Sequence, residues 1–271
     1  MSGHILEHRA GFGPGMTSIT RHDDPQEPTG LGLAVLKLAA GENHHEVAPV
    51  ETAFLLMSGS VTVTVADRNV KLARASLFDD APSCIHVAAG SELSVSAGSA
   101  AEFTIYRTAN RRPFEAKVFL PQDTADEPRG KGQVGGTCLR LVRTIFDRSN
   151  SDPRAQLVLG EVITLPGRWS SYPPHHHAQP EIYHYRFARA QGYGHAELGE
   201  AVYKVRDYDT IRILAGKDHA QCAAPGYPMY YSWVIRHLEG NPYTVPEFTA
   251  EHSWTMEPDA PMWHPKGLAH D

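Results

Sequence analysis

Three histidines and one glutamate in the second half of the chain have the residue types and the spacing of a metal site. His175 and His177 stand two residues apart, and Glu181 follows after a short connection. Alternate side chains of a β-strand share a face, so both imidazoles can point into one cavity. His219, which lies beyond a later pair of predicted strands, is the expected fourth ligand. Three imidazoles and one carboxylate suit a divalent ion of borderline softness and leave coordination positions for substrate oxygens.

Other histidines of the chain are not expected to bind this ion. His176 lies between the two ligands and points away, and His184 has the opposite parity to Glu181, so it packs internally or meets another chain. The first half of the chain holds only a partial counterpart of the site, with a spacing that is wrong for a shared face. We therefore expect a degenerate first half that is kept for packing rather than for a second metal. The residues of this counterpart are His44, His45, Glu46 and His86.

Short β-strands must position the ligands, because apolar and polar residues alternate with period two along most of the chain. Clear examples are residues 61–65, 157–165 and 183–187. Gly, Pro, Asp or Asn separates the runs, and we find no long amphipathic helical pattern. Many short strands at regular spacing predict an all-β protein built as a sandwich or barrel.

A segment rich in proline, glycine and charge divides the chain into two similar strand-rich halves. This segment, residues 121–136, is predicted to be a linker. We expect a degenerate N-terminal barrel over residues 1–120 and a metal-binding barrel over residues 137–256. Residues 257–271 are expected to form an irregular arm on the surface. Two all-β halves of about 100 residues each suggest a duplicated barrel.

Length and composition are those of a folded protein. The chain has 271 residues, of which 41% are hydrophobic and 21% are charged, so it can bury a sizeable core. The N-terminus has no basic segment followed by an apolar core, which predicts a cytoplasmic protein without a secretory signal. Cys84, Cys138 and Cys222 are odd in number and far apart, so we expect reduced thiols.

The charge and hydropathy patterns make two classes of partner unexpected, nucleic acids and membranes. The formal net charge is −6 and no run of Lys and Arg stands out, so nucleic acid is not an expected partner. No apolar stretch reaches the roughly 20 residues that span a bilayer, so no membrane partner is expected. Exposed strand edges favour association, and we expect a homodimer or a larger homo-oligomer.

The ligand pattern between short strands resembles the cupin superfamily, and two such halves resemble a bicupin of tandem jelly-roll barrels. The chain also resembles a narrower family, the 5-deoxy-glucuronate isomerases of myo-inositol catabolism. The related 4-deoxy-5-keto-uronate isomerase shares the ligand set. The segments that carry this resemblance are 129–132 (RGKG), 169–175 (WSSYPPH), 181–183 (EIY), 224–227 (APGY) with Tyr230 and Tyr231, and 251–254 (EHSW).

The resemblance implies a metal-dependent aldose–ketose isomerase acting on a uronic acid. The implied reaction converts 5-deoxy-D-glucuronate to 5-dehydro-2-deoxy-D-gluconate with one divalent metal ion per chain. Zinc and manganese are the first choices, and iron, cobalt and nickel suit the same ligands. Two departures from the family concern the substrate. Only residues 178–180 separate His177 from Glu181, and residues 135–143 replace a run rich in Asn, Arg and His.

An isomerase of this kind moves a hydrogen from C2 to C1 and a proton between two oxygens. A divalent ion that binds the substrate oxygens acidifies the C2–H bond, and a positioned group transfers the proton. Tyr183 and Tyr231 are candidates because they fall on strands next to the ligands, and Tyr172 precedes His175. A small sugar acid also needs a cation for its carboxylate. The candidates are Lys131, Arg140, Arg143 and Arg186, with Arg129 and Lys217 as further possibilities.

Two other functions fit the same residues. A metal-dependent cupin dioxygenase could use three histidines and a glutamate to hold iron, and oxygen uptake would distinguish it from an isomerase. A non-catalytic sugar-acid-binding bicupin is the third hypothesis, although it would not need a complete ligand set. Fold alone does not separate these functions, so the site must decide.

Overall fold

The computed structural model describes residues 3–266, and these residues fold almost entirely as β-structure. The strands of the first half are β1 His4–Ile5, β2 Gly15–Thr20, β3 Leu31–Leu38, β4 Asn43–Val47, β5 Glu51–Val65, β6 Arg68–Arg74, β7 Cys84–Val87, β8 Glu92–Ala97, β9 Ala101–Thr108 and β10 Lys117–Phe119. The strands of the second half are β11 Glu127–Arg129, β12 Arg140–Phe146, β13 Leu157–Thr164, β14 Trp169–His176, β15 Glu181–Phe187, β16 Tyr193–Leu198, β17 Ala201–Arg206, β18 Thr210–Ile213, β19 His219–Ala223, β20 Met229–Arg236 and β21 Glu247–Phe248. Short 3-10 helices span Pro121–Asp123, Gln133–Gly136 and Ala250–Met256.

The N-terminal half is a jelly-roll sandwich organised around the long strand β5. The first part of β5 lies in a sheet with the strand order β10-β7-β5-β9-β3-β2. The last part of β5 pairs with β6 and β8, and β8 also pairs with β4. Alternate residues of β5, such as Val61, Val63 and Val65, are buried against Phe54 and Phe103. The period-two pattern of the sequence therefore marks one face of this strand.

The C-terminal half is a second sandwich, made of two sheets that face each other. The larger sheet has the order β1-β18-β15-β20-β13-β12-β11, and the smaller has the order β17-β16-β19-β14-β21. Aromatic and aliphatic side chains, among them Tyr185, Ile211 and Met229, fill the space between them. The sheets are open rather than fully closed, and the prediction of an all-β protein with two tandem jelly rolls is confirmed.

The two halves share a core at their common interface. Leu33 and Leu55 from the first half pack in one cluster with Leu159 and Val234 from the second. Beside this cluster the hydroxyl of Tyr106 donates to Ser232 Oγ over 2.6 Å. The halves are therefore joined by a dry, packed surface.

The first strand belongs to the opposite half, which differs from the predicted boundary of residues 1–120. β1 pairs antiparallel with β18, with His4 opposite Ile211 and Ile5 opposite Thr210. Asp209 holds this segment through His4 Nε2 at 2.7 Å and Arg9 Nε at 2.7 Å. Residues 4–5 are near the first half in sequence. They nevertheless join the second half, because the backbone edges of β1 and β18 pair there and the buried Asp209 carboxylate holds the segment.

Two other predicted boundaries also acquire detail. The predicted linker, residues 121–136, contains the short strand β11, whose residues pair with β12. Residues 257–266 form no regular strand or helix, and residues 267–271 of the predicted arm lie outside the described residues. Within residues 3–266 we find no helix that is long and apolar enough to cross a membrane.

Candidate metal centre and active site

Three strand ends of the C-terminal sandwich converge at the predicted ligands. His175 lies near the end of β14 and pairs in register with His219, the first residue of β19. His177 follows β14 directly, and Glu181 is the first residue of β15 in the opposite sheet. The site therefore lies between the two sheets, where a short connection turns the chain from one sheet into the other.

Glu181, His177 and His219 form a tight buried cluster. Glu181 Oε2 lies 3.1 Å from His177 Nε2 and 3.4 Å from His219 Nε2. One ligand atom from each residue lies within 4.8 Å of the others, and no other group of three or more such side chains is found among the residues that the structure describes. The exposed fractions are 2% for Glu181, 8% for His177 and 1% for His219, so bulk water does not reach the cluster freely.

Backbone carbonyls fix the orientation of both imidazoles. His177 Nδ1 lies 2.7 Å from the carbonyl oxygen of Gln179, and His219 Nδ1 lies 2.9 Å from that of Lys217. A carbonyl oxygen only accepts, so each Nδ1 must be the donor, and each Nε2 faces Glu181. His219 Nε2 has no hydrogen-bond partner although it is buried. Metal-binding histidines usually donate their other ring N–H to a carbonyl or carboxylate in this way.

The carboxylate and both Nε2 atoms therefore meet at one point, and a cation bound between them would meet three ligand atoms. Burial alone would raise the pKa of Glu181, but His177 and His219 outweigh it and lower the pKa to about 2. The carboxylate is consequently ionised at neutral pH. A divalent ion satisfies the carboxylate and both Nε2 atoms at once, and these residues are a chemically suitable set for zinc or manganese.

His175 lies beside this cluster but not within it. Its ring centroid is 4.2 Å from that of His219, and its Nδ1 lies 3.1 Å from the carbonyl oxygen of Ser171. Burial, followed by the neighbouring His219, lowers the pKa of His175 to about 3, so the ring is neutral. The structure thus brings three of the four predicted ligands together. It holds the fourth, His175, next to them, with its Nδ1 likewise on a backbone carbonyl.

A cavity of about 430 Å³ opens from this cluster between the sheets. Val158, Val162, Trp233 and Ile235 form an apolar wall on the larger sheet. Residues 243–248, which lead into β21, cover the other side. A cavity of this size, mostly apolar with a few converging polar groups, is typical of a small-molecule site.

The three predicted tyrosines occupy different places. Tyr183 lines the cavity, and its hydroxyl lies 3.4 Å from Ser171 Oγ. Tyr231 stacks on Tyr183 with a centroid distance of 4.6 Å but is fully buried, with its hydroxyl 3.0 Å from Ser170 Oγ. Burial raises the pKa of Tyr231 to about 12. Tyr172 does not line this cavity, and the centroid of its ring lies 5.5 Å from that of Trp169.

The predicted cations separate into two groups. Arg140 and Arg129 line the cavity, whereas Lys131 is exposed and does not. Lys217 is also exposed, and only its backbone carbonyl contributes to the site. Period two places Arg140 on the cavity face of β12.

Arg143 and Arg186 correct the sequence prediction, since neither reaches the cavity. Arg143 is 1% exposed and pairs with Glu161 at 2.9 Å on the opposite face of β12. Arg186 pairs with Glu102 of the first half at 2.7 Å and lies against the ring of Tyr208. Their odd parity relative to Arg140 and Glu181 turns both guanidinium groups away from the cavity, where Glu161 neutralises Arg143 and Glu102 neutralises Arg186.

Several cavity residues were missed by the sequence argument. Tyr243 places its ring 5.0 Å from the ring of His177, and Ser171 lies between two tyrosine hydroxyls. Trp233 alternates with Ile235 on β20, and this parity could have identified it. Tyr243 follows an irregular turn, where no periodic signal indicates the direction of a side chain.

The histidines that the sequence analysis set apart from the ligands have carboxylate or hydroxyl partners of their own. His176 Nδ1 lies 2.8 Å from Asp218 Oδ1, and His184 is buried with its Nδ1 2.8 Å from Thr210 Oγ1. In the first half the three histidines of the partial counterpart contact three different carboxylates. These pairs are His44 with Glu46, His45 with Glu92, and His86 with Glu51.

Comparison with known proteins identifies the family. The model of the KduI/IolB family matches residues 5–255 of the chain. The chain belongs to the KduI/IolB family. Proteins named 5-deoxy-glucuronate isomerase are similar to this chain in sequence over most of its length. That of Geobacillus kaustophilus (strain HTA426) is 27% identical over 84% of this chain and 86% of its own length, and that of Bacillus subtilis (strain 168) is 25% identical over 84% and 89%.

Solved structures share the fold of this chain. An IolB-like protein from Salmonella typhimurium LT2 superposes with a TM-score of 0.80 at 22% identity, covering 91% of this chain and 97% of that one. A single-residue variant of oxalate decarboxylase from Bacillus subtilis gives a TM-score of 0.61 at 13% identity, over 92% and 78%. A cupin 2 conserved barrel domain protein from Leptotrichia buccalis gives 0.52 at 12% identity, over 86% and 95%. The bicupin fold is therefore confirmed.

Proposed function

We propose that this protein is a metal-dependent aldose–ketose isomerase that converts 5-deoxy-D-glucuronate to 5-dehydro-2-deoxy-D-gluconate in myo-inositol catabolism. The observation that carries the proposal is the convergence of Glu181 Oε2 with the Nε2 atoms of His177 and His219 at one end of a cavity. The cavity is large enough for a small sugar acid and is lined by three arginines, Arg129, Arg140 and Arg148. Relatives named 5-deoxy-glucuronate isomerase supply the substrate class.

The residues that would hold the metal are His177, Glu181 and His219, with His175 as the adjacent fourth ligand. When bound, a divalent ion would supply Lewis acidity to the carbonyl and hydroxyl oxygens of the sugar. The carbonyls of Gln179 and Lys217 keep the rings of His177 and His219 turned toward this point. The protein therefore needs no rearrangement of these two side chains to present its donors.

The apolar wall and Tyr183 have separate tasks next to the ligands. Val158, Val162 and Trp233 exclude water, which protects a reactive sugar and strengthens every charge interaction in the cavity. The hydroxyl of Tyr183 can donate a proton or a hydrogen bond to a substrate oxygen and is itself held by Ser171. One hydrogen moves from C2 to C1 and one proton moves from the C2 hydroxyl to the C1 oxygen of the same sugar, so the reaction needs no external oxidant.

The proposal is tested by assaying the purified, metal-analysed protein with 5-deoxy-D-glucuronate in deuterated water. Nuclear magnetic resonance should show conversion of the aldose to the ketose. A chelator should stop the conversion, and zinc or manganese should restore it. Metal-loaded protein that leaves the sugar unchanged would refute the isomerase. Consumption of oxygen with the same sugar would instead support a dioxygenase.

Replacing Tyr183 by phenylalanine should lower kcat by about 100-fold, because a positioned proton donor contributes about 10²–10⁴-fold. Metal content should stay at the wild-type value, since the ring and its stacking on Tyr231 remain. Steady-state kinetics with elemental analysis on the same samples would measure both.

The matched control is Tyr231 to phenylalanine. Its hydroxyl is buried on Ser170 and does not line the cavity, so kcat should fall much less. Equal losses in the two variants would mean that Tyr183 acts only through packing.

A further inference from the structure

The cavity has a guanidinium at one end of its larger sheet and the metal-binding carboxylate at the other. Arg140 begins β12 and lies in register with Thr164 on β13, which is in turn in register with Met229 on β20. Met229 stands opposite Phe187, the last residue of β15, whereas Glu181 is the first residue of that strand. A guanidinium and the metal-binding carboxylate therefore lie at opposite ends of the same sheet, and both line one cavity.

Arg140 has no carboxylate partner among the residues that the structure describes. Its Nη1 donates only to the backbone carbonyl of Cys138, over 3.0 Å. Burial lowers the pKa of Arg140, and the nearby positive charge of Arg129 acts in the same direction. A partly buried cation without an anion is unfavourable, so the folded protein has a place for an anion to be bound here.

The backbone beside Arg140 is shaped for this guanidinium. Gly130 has a φ of +72°, which L side chains rarely adopt. A Cβ at this position would lie 2.7 Å from Arg140 Nη1 and 2.3 Å from the carbonyl oxygen of Cys138. Only glycine lets the chain pass so close to the side chain, and this gives residues 129–132 of the sequence a physical role.

Arg129 adds a second cation that can be recruited. It pairs with Glu127 at 2.7 Å, and the two side chains are 52% and 50% exposed. An exposed pair of this kind contributes little stability, so a ligand carboxylate can compete with Glu127. Arg143 and Arg186, by contrast, are committed to buried carboxylates.

We propose that Arg140, with Arg129 beside it, binds the carboxylate of the sugar acid. This inference rests on the proposed function, and it fixes the direction of the substrate in the cavity. The carboxylate lies at Arg140, and the carbonyl end lies at Glu181, His177 and His219. A planar guanidinium fork matches a carboxylate with two parallel hydrogen bonds, and the metal end of the cavity is then left for the carbonyl and hydroxyl oxygens.

Arg148 is the competing site, because it also lines the cavity. It is exposed and stands next to Asp147 in a turn, where Ser149 Oγ donates to Asp147 Oδ1 over 2.6 Å. Leaving a cation without an anion costs less free energy when the cation is in water than when it is partly buried. Arg148 is therefore the weaker candidate and a useful comparison.

The test compares Arg140→Gln, Arg140→Lys and Arg148→Gln with the wild type on two sugars. One is 5-deoxy-D-glucuronate, and the other is the neutral aldose in which a hydroxymethyl group replaces the carboxylate. Arg140→Gln should lower kcat/KM for the uronate by about 100-fold, the scale expected for truncating one partner of a charged hydrogen-bonded pair. The same variant should leave kcat/KM for the neutral sugar and the metal content unchanged. Arg140→Lys should lie between, because it keeps the charge and loses the fork.

Several outcomes would overturn the inference while leaving the isomerase intact. These are wild-type kcat/KM for the uronate in Arg140→Gln, equal losses on both sugars, or a larger loss in Arg148→Gln. A wild type that turns over neither sugar would refute the proposed function instead. In that case calorimetric titration with 5-deoxy-D-glucuronate still decides: binding weakened about 100-fold in Arg140→Gln supports the subsite, and equal or absent binding rejects it.

Discussion

Replacing His219 by alanine is expected to remove the bound metal and to lower kcat/KM for isomerisation by at least about 1000-fold. Lewis-acid stabilisation is worth several kcal/mol, and each 1.36 kcal/mol is about tenfold in rate. His219 is 1% exposed, and its Nε2 has no hydrogen-bond partner and lies 3.4 Å from Glu181 Oε2. Elemental analysis and steady-state kinetics on the same preparation would measure both effects.

The matched control for this prediction is His176 to alanine. His176 lies one residue from each of His175 and His177, yet its ring faces Asp218 at 2.8 Å. Metal content and turnover should stay near the wild-type values in this variant. An alanine at position 219 that retains full metal and full turnover would show that the cluster around Glu181 is not the site of catalysis.

Replacing Glu161 by glutamine is expected to lower the free energy of unfolding by about 3–5 kcal/mol. The carboxylate of Glu161 is fully buried between Arg74 at 2.6 Å and Arg143 at 2.9 Å, and it also accepts a hydrogen bond from Tyr230 at 2.9 Å. Glutamine keeps the shape but leaves two guanidinium groups without their shared anion. Arg143 retains Asp126, so most of the loss arises at Arg74. Denaturant titration would measure the change.

A surface pair provides the comparison for Glu161. Glu92 pairs with His45 at 2.8 Å, with side chains that are 73% and 56% exposed. Its replacement by glutamine should change the free energy of unfolding by no more than about 1 kcal/mol. A Glu161 variant as stable as the Glu92 variant would mean that the buried network contributes no more than an exposed pair does.

The fold could be predicted from the sequence to the extent that one face of each strand is buried. Alternation at Val61, Val63 and Val65 and at Tyr183, Tyr185 and Phe187 identified strands that the structure contains. The sequence carries no such signal for which strands pair with each other, because strand pairing depends on backbone edges that are alike in every strand. The crossing of β1 to β18 could therefore not be predicted, nor could the core that the two halves share.

The candidate site shows the same division between parity and tertiary contact. Parity put His175 and His177 on one face and turned His176 away, and the ring of His176 does face Asp218. Parity also separates Arg140 from Arg143 on β12, but the sequence does not say which face of that strand meets the cavity. That information lies in Glu161, which stands opposite Arg143 on β13 and requires a cation there. Composition alone could not distinguish a structural arginine from one that faces a ligand.

The crossing of β1 has a consequence for the order of events during synthesis. Residues 4–5 are made about 200 residues before their partner strand, residues 210–213. Until that strand is made, β1 has no edge to join, while the first jelly roll can already pack its own core. When the second jelly roll forms, β1 completes its sheet and covers the edge of β18, which would otherwise be open to another chain. A fragment that begins after β1 would carry that open edge, so the second half is not a self-sufficient unit.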